Sequence, residues 1–429
     1  MNPGDTLRIL YHFFHARRLA GSIRSRADLE LHQEAGLRRL RRKVLARSPF
    51  YAPMRNDPFG RFPIMDKGSY LLHFDRLNTV GVRLEKAMET ALAAERNRDF
   101  SPSLGGITVG MSSGTSGRRG VFLATGDERA KWAGVMLAKA LPSSILKPVS
   151  IAFFLRANSN LYSTLNRGRH LRLDFHDLTV PMPVHVDALN RNQPDILTAP
   201  AGVLRSLAEE AVAGRLSVRP RTVFSVAEVL EPEDGLSIAA AFGVPVRQIY
   251  QCTEGFLGIS GEDGRIVLNE EYVIVEKEWV DRESGLFVPL ITDFTRSSQP
   301  IVRYRLDDVL VEDLEDPSPF TVLKRIEGRC DDSLVLTSPR GPVTVHADTV
   351  RQAVAASRLV YDDYRIIQLP DGSLRLQFSP EPDGEGRAAA EAMVRGLADR
   401  LGAHVPAIAF EPFEARDPLR KFRRITRIG

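Results

Sequence analysis

From about residue 121 to residue 300, short apolar runs alternate with helix-length amphipathic stretches, and this alternation constrains the fold more than any other feature. SIAFFL (150–155), PDILTA (194–199), TVFSVA (222–227) and RQIY (247–250) read as strands, and the stretch near 201–214 reads as a helix. Strands separated by helical connections pair in parallel, because only a long crossover returns the chain to the same edge. Between about 265 and 327 the pattern changes. RIVLNEEYVIVEKE, GLFVPLITDF, PIVRYRLDDVLVED and FTVLKRIEG alternate apolar with polar residues, as antiparallel strands do. After Arg329 a third texture begins, with a helix over 347–358, a strand over 363–369 and an Asp371-Gly372 turn, then a strand over 373–379, a helix over 386–402 and a strand over 406–413. The chain is therefore expected to be α/β. A large N-terminal domain, residues 1–330, carries helix-flanked β-sheets and a β-rich subdomain, and a small α+β domain follows at 331–429.

At 429 residues and 43% hydrophobic content the chain can bury a large core. No run approaches the ~18 uncharged apolar residues of a membrane span, and no secretory signal is visible, so a cytoplasmic protein is expected. Cys252 and Cys330 fit neither a disulfide framework nor a zinc site. The net charge of +4 is modest, although residues 8–47 carry ten Arg and one Lys. Apolar positions at Leu7, Leu10, Phe14, Leu37, Leu40 and Val44 fall at helical spacing among them, so this segment reads as helices with a solvated basic face. No aromatic stacking motif accompanies the charge, and nucleic-acid binding is not expected.

Chemistry concentrates in a few short motifs. MSSGTSGRRG, residues 111–120, follows the apolar GGITVG, so it leaves a strand. Its glycines allow backbone N–H groups to approach a phosphate chain, the hydroxyls of Ser112, Ser113, Thr115 and Ser116 can donate, and Arg118 and Arg119 add charge. The spacing is not that of a Walker A loop, and a flexible surface loop is the alternative. In QIYQCTEG, 248–255, Glu254 could coordinate Mg²⁺ and Thr253 could bond a phosphate, or both are solvated turn residues. Asp308 in PIVRYRLDDV could accept both hydrogens of a ribose diol, or be an edge-strand charge. RIEGRCDDSLVL, 325–336, sits at the expected domain boundary, and KFRRI, 421–425, is a basic tail.

In their order along the chain, these five motifs resemble the adenylate-forming superfamily of acyl-CoA ligases, luciferases and peptide-synthetase adenylation domains. Within it the chain is most similar to phenylacetate-CoA ligase and its capsule-biosynthesis-type relatives, through its length, SPFY at 48–51 and FPIMDK at 62–67. The resemblance implies ATP-dependent activation of a small carboxylic acid as an acyl-adenylate, then thioester formation, with ATP, Mg²⁺ and coenzyme A. By it, Ser112, Ser113, Gly114, Thr115, Ser116 and Gly117 hold the β- and γ-phosphates, Ala227 and Glu228 lie against the adenine, and Tyr250 flanks it. It also implies that Thr253 touches the α-phosphate, Glu254 holds Mg²⁺, and Asp308 takes the ribose with Arg329. By the same resemblance, Lys421 is expected to be the catalytic lysine and Asp331 the hinge of a mobile small domain.

Substrate-side positions are Phe154, Asn158, Asn160, Gly255 and Phe256, which favour an aromatic or apolar acid. A carrier-protein phosphopantetheine or an amine is the alternative acceptor, and the basic N-terminal surface would suit an acidic acyl carrier protein. A silent adenylate-binding protein is the rival class, and monomer and homodimer both stay open. The chain departs from the family pattern at Arg118-Arg119, at Gln251 and at Arg420, which replace Lys-Pro, Gly and Gly.

Overall fold

The structure is a computed structural model that describes residues 3–97, 102–112, 119–141, 148–155, 171–261, 263–329, 333–345, 347–357, 359–414 and 423–428. The chain divides into two compact units: 1–306 with 311–325, and 307–310 with 326–429. The division falls within strands, whereas the sequence predicts a simple cut at 330.

The large unit opens with α1 (Pro3–Ser22) and α2 (Arg26–Lys43). Ser25 and Asp28 start α2 with a reciprocal capping box, Asp28 N donating to Ser25 Oγ and Ser25 N to Asp28 Oδ2. Two short helices, α3 (Lys67–Leu72) and α4 (Phe74–Leu77), and a longer one, α5 (Leu84–Asn97), follow. Then come β1 (Ser103–Leu104), β2 (Ile107–Met111) and β3 (Val121–Ala124), a small antiparallel sheet, and α6 (Gly126–Ala140). Ile9, Phe13 and Ala16 bury one face of α1. Gly134 of α6 permits that approach, since a Cβ there would lie 2.6 Å from His12 Cβ and 2.7 Å from Ile9 O.

The predicted alternation then appears as β4 (Val149–Leu155), β5 (Leu171–Asp177), β6 (Ile196–Ala199), β7 (Thr222–Val226) and β8 (Val246–Cys252), with helices at Met182–Asn192, Ala201–Val212 and Pro232–Phe242. These five strands are parallel in the order β5-β4-β6-β7-β8. The antiparallel strands β9 (Gly255–Ser260), β10 (Ile266–Leu268), β11 (Val273–Asp281), β12 (Leu286–Asp293), β13 (Ile301–Arg305), β14 (Asp308–Glu312) and β15 (Val322–Arg329) extend the same twelve-stranded sheet. The β-rich region expected within the large domain continues the parallel sheet through the antiparallel β8–β9 pair.

In the small unit β16 (Leu334–Ser338) and β17 (Gly341–Val345) form a hairpin, and β18 (Asp363–Gln368), β19 (Leu374–Ser379), β20 (Ile408–Phe410) and β21 (Ile425–Arg427) form a sheet ordered β20-β19-β18-β21. Its helices span Ala347–Ala356 and Gly384–Arg400, and Val354, Leu376 and Ala398 lie at the centre of one apolar core. The second helix begins two residues earlier than the sequence predicts because Asp383 caps it, accepting from Gly386 N at 2.8 Å. No helix among the described residues is long and apolar enough to cross a membrane.

Candidate active site

In an open sheet with parallel strands, the crevice beyond the strands' carboxyl ends is where ligands gather. Ala227 and Glu228 follow the end of β7, and Thr253 and Glu254 follow the end of β8. Four residues singled out from sequence thus share one edge. Ala227 has φ +65°, a left-handed conformation that costs a residue with a side chain of order 1 kcal/mol and is often retained at binding sites. The Glu228 carboxylate accepts from Gly202 N at 3.0 Å, in the first turn of the helix Ala201–Val212. It therefore complements that helix N-terminus, a role the sequence does not signal. Tyr250 is buried on β8 opposite Gly258.

The Thr253-Glu254 turn is held from behind. One Arg296 nitrogen donates to both the Thr253 and Glu254 carbonyls at 3.1 Å, and the other donates to Leu123 O on β3 and to Gln299 Oε1. Gln299 in turn donates to Val121 O and accepts from Leu123 N. Glu128, in the first turn of α6, accepts from Ser297 N, Ser298 N, Ser298 Oγ and Thr125 N. Burial pushes the Glu128 carboxyl up, but Arg296 and these N–H groups outweigh burial and hold it below the ordinary glutamate range. Asp293 braces the same segment, accepting from Thr295 N and Arg296 N, and its burial raises its pKa despite Arg296. None of these four residues is apparent from the sequence: Arg296, Gln299 and Glu128 act through partners distant in the chain, and Asp293 braces a segment whose importance only those contacts reveal.

A recess opens beside the turn, lined by Lys67, Tyr70, Gly120, Thr253, Glu254 and Gln299 among others. Gly120 closes the strand pair that brackets the Ser/Gly loop. Ser112 N donates to Gly120 O at 2.8 Å, and Gly120 N to Ser112 Oγ at 2.7 Å. Arg119 corrects the reading of the double arginine as phosphate charge: it donates to Ser112 O at 2.9 Å and pairs with Glu95 at 2.6 Å, so it fastens the base of the loop. Ser113, Gly114, Thr115, Ser116, Gly117 and Arg118 lie outside the described residues, as do Asn158, Asn160, Asp331, Arg420 and Lys421.

Phe154 also requires correction. Its ring is fully buried, stacked on His176 with 4.4 Å between ring centres, within the core beneath the helices Met182–Asn192 and Ala201–Val212. That packing removes it from the substrate-facing set. His176 and His185 are hydrogen-bonded through their Nδ1 atoms at 3.1 Å, and His185 Nε2 lies 3.1 Å from the Asp177 carbonyl, which accepts. Burial, then the neighbouring His185, pushes His176 down to about 4.

Gly255 and Phe256 open β9, Gly255 leaving Asp293 Oδ2 at 3.6 Å from where a Cβ would stand. In the small unit Asp308 begins β14 and Arg329 ends β15, neighbours in the sheet, with the Arg329 side chain undescribed. Within the small unit, the described residues on either side of the segment 415–422 make contacts. Arg365 pairs with Glu414 before it, and after it Arg424 pairs with Asp363 at 3.0 Å, both side chains buried, while its carbonyl accepts from Ile366 N. Arg303 and Arg305 are bound to Glu276 and Glu278, which marks them as structural. Among the described residues no group of three or more His, Cys, Asp or Glu is placed so that it could hold a metal ion.

No protein-family model matches the chain. Its structure is similar to that of 2-hydroxyisobutyryl-CoA ligase in the postadenylation state in complex with R3-HIB-AMP, with TM-score 0.61 at 18% identity over 92% of this chain and 89% of that one. It is also similar to the amide bond synthetase McbA from Marinactinospora thermotolerans, with TM-score 0.51 at 16% identity over 74% of this chain and 67% of that one. Protein CapK of Staphylococcus aureus is 27% identical over 159 residues, 35% of this chain and 34% of CapK, so the match spans about a third of that relative. The chain has the fold of the adenylate-forming ligases.

Proposed function

We propose that this chain is an AMP-forming acid–thiol ligase that activates a carboxylic acid with ATP and passes the acyl group to coenzyme A. The observation that carries this reading is the Arg296–Gln299 clamp, which holds the Thr253-Glu254 turn and the strand leaving the Ser/Gly loop around one recess, in a chain of this fold. A carboxylate oxygen attacks the α-phosphorus and pyrophosphate leaves. The thiol then attacks the acyl carbon, and AMP departs with the carboxylate's oxygen.

The residues suit the ions involved. The Glu254 carboxylate lines the recess and makes no hydrogen bond or ion pair among the described residues, so it would hold Mg²⁺, which when bound stabilises the crowded phosphate charge. Thr253 would meet the α-phosphate, and Ser112 to Gly117 the β- and γ-phosphates. Ala227, Glu228 and Tyr250 would flank the adenine, with Asp308 and Arg329 at the ribose. Lys421 would bridge carboxylate and phosphate, and rotation of the 331–429 domain about Asp331 would withdraw it before the thiol enters. A reaction that consumes ATP and coenzyme A belongs in the cytoplasm. The likeness to McbA, an amide bond synthetase, favours an amine as the second acceptor.

Carboxylate-dependent exchange of labelled pyrophosphate into ATP tests the first half-reaction. Lys421→Ala is expected to lower exchange about 100-fold or more while ATP binding persists. Unchanged exchange would remove Lys421 from the chemistry.

A further inference from the structure

Gln251 stands where the family pattern has Gly, two residues before Thr253. The pairing of β8 with β9 shifts register there: Tyr250 faces Gly258 but Gln251 faces Phe256, which leaves Leu257 as the extra residue of a bulge. Bulges of this kind re-aim neighbouring side chains beside active sites. Gln251 is half-buried, and Trp132 Nε1 of α6 donates to its Oε1 at 3.3 Å. An indole N–H can only donate, so the contact fixes which end of the amide is which. The oxygen is turned to Trp132 and the NH₂ is turned away. Around it, Trp132, Ile249 and Phe256 pack on one apolar cluster and offer no side-chain acceptor. Among the described residues the Gln251 NH₂ makes no hydrogen bond, and it is not sealed from solvent.

An oriented donor in an apolar wall discriminates strongly between ligands. A ligand with an acceptor atom satisfies it, whereas a hydrocarbon ligand displaces its water and strands it. With Phe154 sealed in the core, the apolar wall expected of the substrate side also loses one of its members. We infer that the acid activated here carries a hydroxyl, keto or amide oxygen, and that Gln251, aimed by Trp132, is the residue that selects it. The inference rests on the adenylation reading and on the acid lying against Gly255 and Phe256.

The test is pyrophosphate exchange by the full chain with pairs of acids of one carbon skeleton, differing by a single oxygen. The oxygen-bearing member should be preferred about tenfold or more in kcat/KM. Gln251→Glu keeps the shape and the acceptor for Trp132 but removes the NH₂, and should bring the ratio to about one. Trp132→Phe, which frees the amide to turn, should lower the ratio mainly through KM for the oxygen-bearing acid. Exchange without preference in the native chain would overturn the inference and leave adenylation standing. A preference that survives Gln251→Glu would overturn the assignment to Gln251. Absence of exchange with every pair would instead overturn the adenylation reading itself, and the inference with it.

Discussion

Arg296 is the residue on which the proposed site leans most. It makes four hydrogen bonds to the backbone and to Gln299, and its charge offsets two buried carboxylates, Glu128 and Asp293. Arg296→Leu would remove the largest opposing charge from both carboxylates, and since breaking a buried ion pair costs about 3–5 kcal/mol, chemical denaturation should read a loss approaching that size. Glu254→Gln should behave in the opposite way, leaving the denaturation midpoint within error while Mg²⁺-dependent exchange collapses. Thr253 and Glu254 are legible in the sequence because a polar turn after an apolar strand is conspicuous. Arg296 is not, since its meaning depends on Leu123, 173 residues away. Phe154 shows the converse failure: an aromatic at a strand end reads equally as pocket or core, and only the helices packed over it decide.

At the scale of elements, the β2–β3 pair shows how a loop of small residues is given a fixed base. Arg119 ties Ser112 to Glu95 at the end of α5, so Arg119→Leu and Glu95→Gln should each raise KM for ATP several-fold, and the double variant should be no worse than either single one. Additive effects would separate the two residues. The edge strand β5 carries a different device, the buried His176–His185 pair. Between the ordinary imidazole value of 6.5 and the folded value of about 4, the unfolded chain binds more protons. Stability should therefore fall as pH drops through that window, by up to about 3 kcal/mol, and level off below it. His176→Phe should flatten the slope in thermal melts at pH 4–7. The strands and helices were legible because period-2 and period-3.6 patterns are local. The continuity of twelve strands in one sheet was not, because register across β8–β9 depends on a bulge that no local pattern announces.

For the whole molecule, three textures of sequence became a parallel sheet, its antiparallel extension and a small α+β unit, which is the fold of the adenylate-forming ligases. The order of motifs conveyed that architecture, but not the clamp that binds the Ser/Gly loop's base to the Thr253-Glu254 turn. If the 331–429 domain turns about Asp331 between half-reactions, Asp331→Pro should lower thioester formation by a larger factor than pyrophosphate exchange. Equal losses would oppose the hinge. In the proposed reaction a carboxylate oxygen attacks the α-phosphorus of ATP. Turnover of an accepted acid labelled with ¹⁸O in its carboxylate, followed by mass spectrometry of the products, tests it directly. Attack at the α-phosphorus places one ¹⁸O in AMP for each thioester formed, whereas label in inorganic phosphate, with ADP as the nucleotide product, would contradict it.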